Sequence, residues 1–276
     1  MTQINASIVL YHNQKEQLIK AINSFLNTDL QVRLYLIDNS LNDDLRELAK
    51  IDDRIEYIFN NANLGYGAAH NIAMKKSIEE GTSYHIVLNP DIYFESNVIE
   101  TLYKYMETHQ DIGHIMPKVL YPDGTNQNLC KLLPSPLDLF ARRFIPVESF
   151  VDKINNRYEL NFFNYSEIVE IPFLSGCFMF LRVDVLKKDC LFDDSFFMYL
   201  EDADLTRRIS RISKTIFYPT VSIYHEYQRG AHKSKKLLWF FIQSTFIYFN
   251  KYGWFFDKER KNRNNKILKS LGYFDK

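Results

Sequence analysis

Tyr84-His85-Ile86-Val87-Leu88-Asn89-Pro90-Asp91 is a short strand-like run that stops on an Asn-Pro-Asp turn. Its β-branched and aromatic residues suit a buried strand, and the proline that follows cannot donate to a ladder. The same pattern repeats upstream. Ala6 to Tyr11, Val32 to Ile37 and Arg54 to Phe59 read as three earlier strands, each ending on polar residues. Between them, Glu16 to Asn27 sets Leu18, Ile22, Phe25 and Leu26 at helical spacing, and Ala68 to Ile78 forms a helix after a glycine turn. Strands alternating with helices predict an α/β fold, with a mostly parallel central sheet flanked by helices.

Working outward, Asn97 to Met106 reads as a helix and Ile112 to Leu120 as a strand. Tyr121 to Glu170 breaks the pattern with Pro122, Gly124, Pro134, Pro136 and Pro146 among scattered aromatics. It is expected to be an irregular insertion over a site, a lid or acceptor loop. Ile171 to Arg182 follows as a strand pair or one long strand, Glu201 to Ile212 as a helix, and Lys214 to Tyr227 as strand and loop. Lys235 to Tyr252 is a strongly apolar helix. The expected division is an α/β body, residues 1–234, and a helical tail, residues 235–276, rich in basic and aromatic side chains.

Lysine plus arginine equals aspartate plus glutamate at 34 each, so no global field draws the chain to nucleic acid. The tail is uneven: from Arg229 to Lys276 there are twelve lysines and arginines and three acids. Such a tail suits an anionic lipid surface, and packing on the body or a homodimer contact suits it equally. Cys130, Cys177 and Cys190 are odd in number and lack paired spacing, against a disulfide framework or structural zinc. With no signal pattern near Met1 and no apolar run of spanning length, a cytoplasmic protein is expected, peripheral to the inner face of a membrane.

In an open α/β sheet the ligand crevice lies beyond the carboxyl ends of the strands. Those ends carry Tyr11, His12 and Asn13; Asp38, Asn39 and Ser40; Asn60, Asn61 and Asn63; and Asn89 and Asp91. Such residues also make ordinary turns and helix caps, although a cap needs one per turn and here two or three stack. The Asn63 to Gly67 loop offers backbone amides to an anion but lacks the position and third glycine of a dinucleotide fingerprint. Asp91 suits one position on Mg2+ or Mn2+, or a turn. Asp202 follows an aromatic run, Phe196 to Tyr199, which would desolvate a general base; equally, Glu201, Asp202 and Asp204 suit a first helical turn, with Asp204 pairing Arg208. His225 is a structural histidine or a metal ligand, and Arg229 would steady a leaving diphosphate.

Taken in order, Asp38-Asn39-Ser40, Asn61 to Gly65, Leu88 to Asp91, Phe196 to Leu205 and His225 resemble the family-two glycosyltransferases of GT-A fold, Rossmann-like in their sheet, in the branch of bacterial rhamnosyltransferases. The resemblance implies that Asp38 and the Tyr11-His12-Asn13 loop bind base and ribose, with Asn63 and Gly65 near the nucleotide. It implies that Asp91 stands for the last aspartate of an Asp-x-Asp metal motif, with Asn89 replacing the first, and that Asp202 is the catalytic base. Cys190-Leu191-Phe192-Asp193-Asp194 departs from the Gly-Gly-Phe-Asp-Glu usual in relatives, while Ser175-Gly176-Cys177 keeps the small residues placed beside the sugar.

The implied activity is an inverting transfer of a sugar, rhamnose by resemblance, from a nucleotide-diphosphate sugar donor to a saccharide acceptor, lipid-linked or part of a growing bacterial polysaccharide, with Mg2+ or Mn2+. Two other classes remain open. A nucleotidyltransferase would need a basic, glycine-rich loop after the first strand, where this chain has His12-Asn13-Gln14-Lys15. A non-catalytic carbohydrate-binding subunit would keep the fold without turnover.

Overall fold

Strand β1 (Ile4–Leu10) turns Ile4, Ala6, Ile8 and Leu10 to one face of its sheet and Asn5, Ser7 and Val9 to the other, as the two-residue period demands. The first set packs with Leu18, Ile22 and Phe25 of α1 (Lys15–Leu26) and Ile99, Leu102 and Met106 of α3 (Val98–Thr108). On the other face, Ala69 and Ala73 of α2 (Tyr66–Glu80) pack with Tyr35 and Ile37 of β2 (Val32–Asp38). Met74 of the same helix joins Val87 of β4 (Tyr84–Leu88). The sheet is therefore sandwiched between helices. The computed structural model describes residues 3–144, 147–226 and 235–273.

The main sheet runs β3 (Ile55–Phe59), β2, β1, β4, β10 (Phe178–Arg182), β6 (Ile112–Leu120), β11 (Lys214–His225) and β5 (Ile92–Tyr93), with β8 (Val169–Glu170) also paired to β11. β1 to β4 are mutually parallel, and β6 is parallel to β11. β10 enters antiparallel between β4 and β6. The chain runs outward from β1 to β2 and β3, then returns to β4 on the other side of β1. That reversal opens a crevice at the carboxyl ends of β1 and β4.

One sequence expectation changes and others are narrowed. The insertion is not irregular throughout: it contains β7 (Cys130–Lys131), α4 (Pro136–Phe144) and α5 (Glu148–Tyr158). Pro136, read as a breaker, opens α4, the position where a missing N–H costs a helix nothing. Ile171 to Arg182 is a pair of strands, with β9 (Phe173–Leu174) bonded to β7 in a separate two-stranded sheet and β10 in the main one. The tail forms α8 (Lys235–Tyr252) and α9 (Lys258–Ser270) and packs on the body. Asn264 exchanges two hydrogen bonds with the Leu133 backbone, and Arg207 of α7 (Glu201–Ile209) grips Asp257 at the start of α9.

Candidate active site

A cleft of about 1170 Å3 opens at the carboxyl edge of the sheet. As expected from the strand termini, Tyr11, Asn13, Asn39, Asn63 and Gly65 line one part of it. Asn39 organises this part: its amide donates to the Gly65 carbonyl at 3.1 Å and its oxygen accepts from Asn60 at 2.8 Å. The Asn63 side chain accepts from the Gly65 N–H at 3.0 Å, closing a turn into α2. Gly65 has φ +88°, and a Cβ there would meet the Phe197 carbonyl oxygen at 2.5 Å, so only glycine fits.

Two expected donor contacts are corrected. Asp38 is fully buried and outside the cleft lining; its carboxylate accepts from the Ser40 N–H at 2.8 Å and the Tyr57 hydroxyl at 2.5 Å. As the last residue of β2 it faces a neighbouring strand, so it shapes the loop that presents Asn39 rather than meeting base or ribose. His12 is exposed and also outside the lining; its backbone N–H bonds the Ser40 hydroxyl at 3.1 Å. Arg229 lies outside the described residues.

At the middle of the cleft, Asn89, Asp91 and His225 come together. Asp91 Oδ1 is buried, accepts no hydrogen bond among the described residues and lies 3.2 Å from His225 Nε2. Gln127 decides the imidazole's orientation. Its amide nitrogen donates to the His225 carbonyl at 2.9 Å, leaving its oxygen, 3.0 Å from Nδ1, to accept a proton from the ring. Nε2 therefore faces Asp91. A neutral imidazole nitrogen and a carboxylate oxygen set side by side are a donor pair that suits a divalent cation. Among the described residues no group of three or more His, Cys, Asp and Glu gathers as a metal site, so substrate oxygens and water would supply the other positions.

Asp202 lines the same cleft from the first turn of α7. Its carboxylate accepts from the Gly176 N–H and the Ala203 N–H, both at 2.8 Å. A Cβ on Gly176 would come within 3.0 Å of the Asp202 Cβ, so this glycine permits the approach. Burial raises the Asp202 pKa above the ordinary carboxylate value, opposed by those two backbone hydrogen bonds. Glu201 beside it is pushed well above its ordinary value by burial and then by the Asp202 charge. The Tyr66 hydroxyl links the Gly176 bend to the end of β4, 2.7 Å from the Gly176 carbonyl and 3.0 Å from Asn89 Oδ1.

The cleft at the strand ends thus gathers Asp91, His225 and Asp202, and the sequence that builds it matches a known family. The model for glycosyl transferase family 2 covers residues 7–189. The chain belongs to glycosyl transferase family 2. The hexosyltransferase Agl10 of low-salt glycan biosynthesis in Haloferax volcanii is 26% identical over 208 residues, 74% of this chain and 61% of that protein. The rhamnosyltransferase WbbL of Escherichia coli K12 is 25% identical over 254 residues, 87% of this chain and 90% of that one. Among solved structures, TarS residues 1–349 of S. aureus superposes with a TM-score of 0.58 at 14% identity, over 98% of this chain and 74% of that one, which shows the GT-A fold. Asp202 and His225 lie beyond the segment matched to the family model.

The wall built by the insertion adds residues that the sequence did not single out. Asn126, Asn128 and Asn161 line the cleft and bond one to the next at 2.6 and 2.7 Å, with Tyr121 and Tyr158 among them. Lys131 of β7 faces the same space, 3.4 Å from Glu159, and its charge favours the ionised form of Asp202. Lys131, Gln127 and these asparagines sit in a stretch without periodicity. Only Ser175-Gly176-Cys177, of the added residues, carried a readable signal.

Proposed function

We propose that this protein moves a sugar from a nucleoside-diphosphate donor to a hydroxyl of a saccharide acceptor, with inversion, during assembly of a bacterial surface polysaccharide. The observation that carries the reading is that Asp202 and the Asp91 and His225 pair line one cleft at the sheet's carboxyl edge. Rhamnose is the sugar suggested by the relatives' names, and the inner face of the cell membrane is the matching location. No helix among the described residues is long and apolar enough to cross a membrane.

The nucleoside lies along Tyr11, Asn13, Asn39, Asn63 and Gly65. The Asn89 side-chain amide, 3.0 Å from the Tyr66 hydroxyl, offers the diphosphate a hydrogen-bonding group. Mg2+ or Mn2+ would be held by Asp91 and His225, and when bound supplies positive charge against the diphosphate. The acceptor lies along the amides and tyrosines of the insertion, a surface that hydrogen-bonds hydroxyls and covers apolar sugar faces. Its hydroxyl oxygen attacks the anomeric carbon as the bond from that carbon to the diphosphate oxygen breaks. The proton passes to Asp202, and the electron pair leaves with the nucleoside diphosphate.

Asp202→Asn is expected to lose about 10²–10⁴ in turnover while keeping donor affinity, since one acid–base group contributes that much. Asp91→Ala is expected to weaken nucleoside diphosphate binding and abolish its enhancement by Mn2+ in calorimetry. Near-normal turnover in the first variant, or equal affinities with and without metal in both proteins, overturns the assignment. Release of pyrophosphate instead of nucleoside diphosphate would mark a nucleotidyltransferase.

A further inference from the structure

From Lys235 to Phe256 the chain has no acidic residue. Within this stretch α8 buries Ser244, Thr245, Tyr248 and Phe249 against the body and exposes Trp239 and Phe246, two turns apart on one face. Phe246 rests edge-on against Trp254 at 5.1 Å. Phe255 and Phe256 follow in the turn before α9, 80% and 97% exposed. The next carboxylates are drawn inward. Asp257 is buried on Arg207, and Glu259 is held by Arg207, Arg211 and Arg263. Exposed Lys235 and Lys236 stand at one end of the aromatic stripe and Lys258 and Lys261 at the other.

Adjacent, solvent-facing phenylalanines are costly in water and contribute nothing to the core. A stripe of Trp and Phe, cleared of carboxylates and bracketed by lysines, is complementary to the interface of an anionic bilayer, where aromatic rings enter the headgroup region and ammonium groups meet phosphates. Phe241, on the same helix, lines the cleft, so the stripe adjoins it. We infer that Trp239, Phe246, Phe255 and Phe256, with Lys235, Lys236 and Lys258, dock this protein on an anionic phospholipid surface. The consequence for the reaction rests on the proposed function: a docked cleft meets a lipid-linked acceptor where its sugar leaves the membrane.

The test is flotation of the full chain with phosphatidylcholine vesicles, with and without phosphatidylglycerol, at low and high salt. The protein is expected to float with the anionic vesicles at low salt. Phe255→Ser with Phe256→Ser weakens partitioning at least about tenfold, because two exposed aromatic side chains no longer enter the interface. Lys235→Gln and Lys236→Gln weaken it about fivefold each. Circular dichroism and turnover on a water-soluble acceptor glycoside stay unchanged in the Phe pair, which lies outside the cleft. Failure of the wild type to float, or flotation unaffected by both sets of variants, overturns the inference. So does a wild-type dimer that the Phe variants convert to monomer without any vesicle binding, since a second copy then covers the stripe. Flotation without glycosyl transfer to any acceptor would sink the proposed function and leave the docking surface standing.

Discussion

Two adjacent acids, Glu201 and Asp202, differ in role because they differ in partners. Asp202 has two backbone N–H donors, which favour its charge, whereas Glu201 Oε2 is buried without a hydrogen-bond partner. Asp202 therefore ionises first, and its charge holds Glu201 protonated. Glu201→Gln mimics that protonated form and is expected to keep turnover within about tenfold of wild type, set against the loss of about 10²–10⁴ from removing the base itself. The same acid sets a stability trend. Its folded pKa lies above the unfolded value of 4.5, so its contribution is complete below that pH and is lost as pH rises through the folded value. Glu201→Gln should accordingly raise the melting temperature most on the alkaline side. If it instead matches Asp202→Asn in lost turnover, the base has been misassigned.

Elements position these groups through a bend and a clamp. Residues 171–182, open in the sequence between a strand pair and one long strand, form the pair, broken at Gly176, whose N–H serves the Asp202 carboxylate rather than a ladder. This bend holds Asp202 near Asn89, since Tyr66 contacts both the Gly176 carbonyl and the Asn89 side chain. The other end of α7 is clamped to the tail. Arg207 makes a bidentate pair with Asp257 at 2.7 and 2.8 Å, both side chains nearly inaccessible, and its guanidinium lies 4.0 Å over the Tyr252 ring. Truncating one member strands the other's charge in the interior. Arg207→Ala is expected to lose about 3–5 kcal/mol in chemical denaturation. A loss under about 1 kcal/mol, the range of exposed pairs, would show that the tail does not brace α7.

At the scale of the whole molecule, three histidines are sealed in the interior and not in the cleft. His85 and His114 are pushed down to about 3 by burial, and His70 falls well below its ordinary value through burial and then the neighbouring His85. Ser7 joins His70 to His85 at 2.7 and 2.8 Å, tying β1 and β4 to α2. In the unfolded chain these rings take up protons below about pH 6.5, and the folded rings do not. Stability is thus complete above that pH and drains away as pH falls from about 6.5 toward 3. Urea midpoints measured between pH 8 and pH 5 should decline on the acid side. Among the described residues neither His114 nitrogen has a hydrogen-bond partner, so His114→Leu should gain about 1–3 kcal/mol and soften the decline. A less stable variant at pH 5 would contradict this account.

The alternation of strands and helices through the first hundred residues, and the polar residues ending each strand, were legible in the sequence because period and turn chemistry are local properties. They yielded the α/β class, the cleft edge, and Asn63, Gly65, Asn89 and Asp91 as residues that share it, while Asp202 and His225 were drawn in by the family resemblance. Nothing local separates Asp38, closed off by a tyrosine from the next strand, from Asn39 beside it, which faces the cleft. Gln127 orients His225 across 98 positions of chain, and Gly176 meets Asp202 across 26. Side-chain accessibility and long-range hydrogen bonds come from packing, so only the tertiary structure decided which polar residues bind, which position others, and which are sealed away.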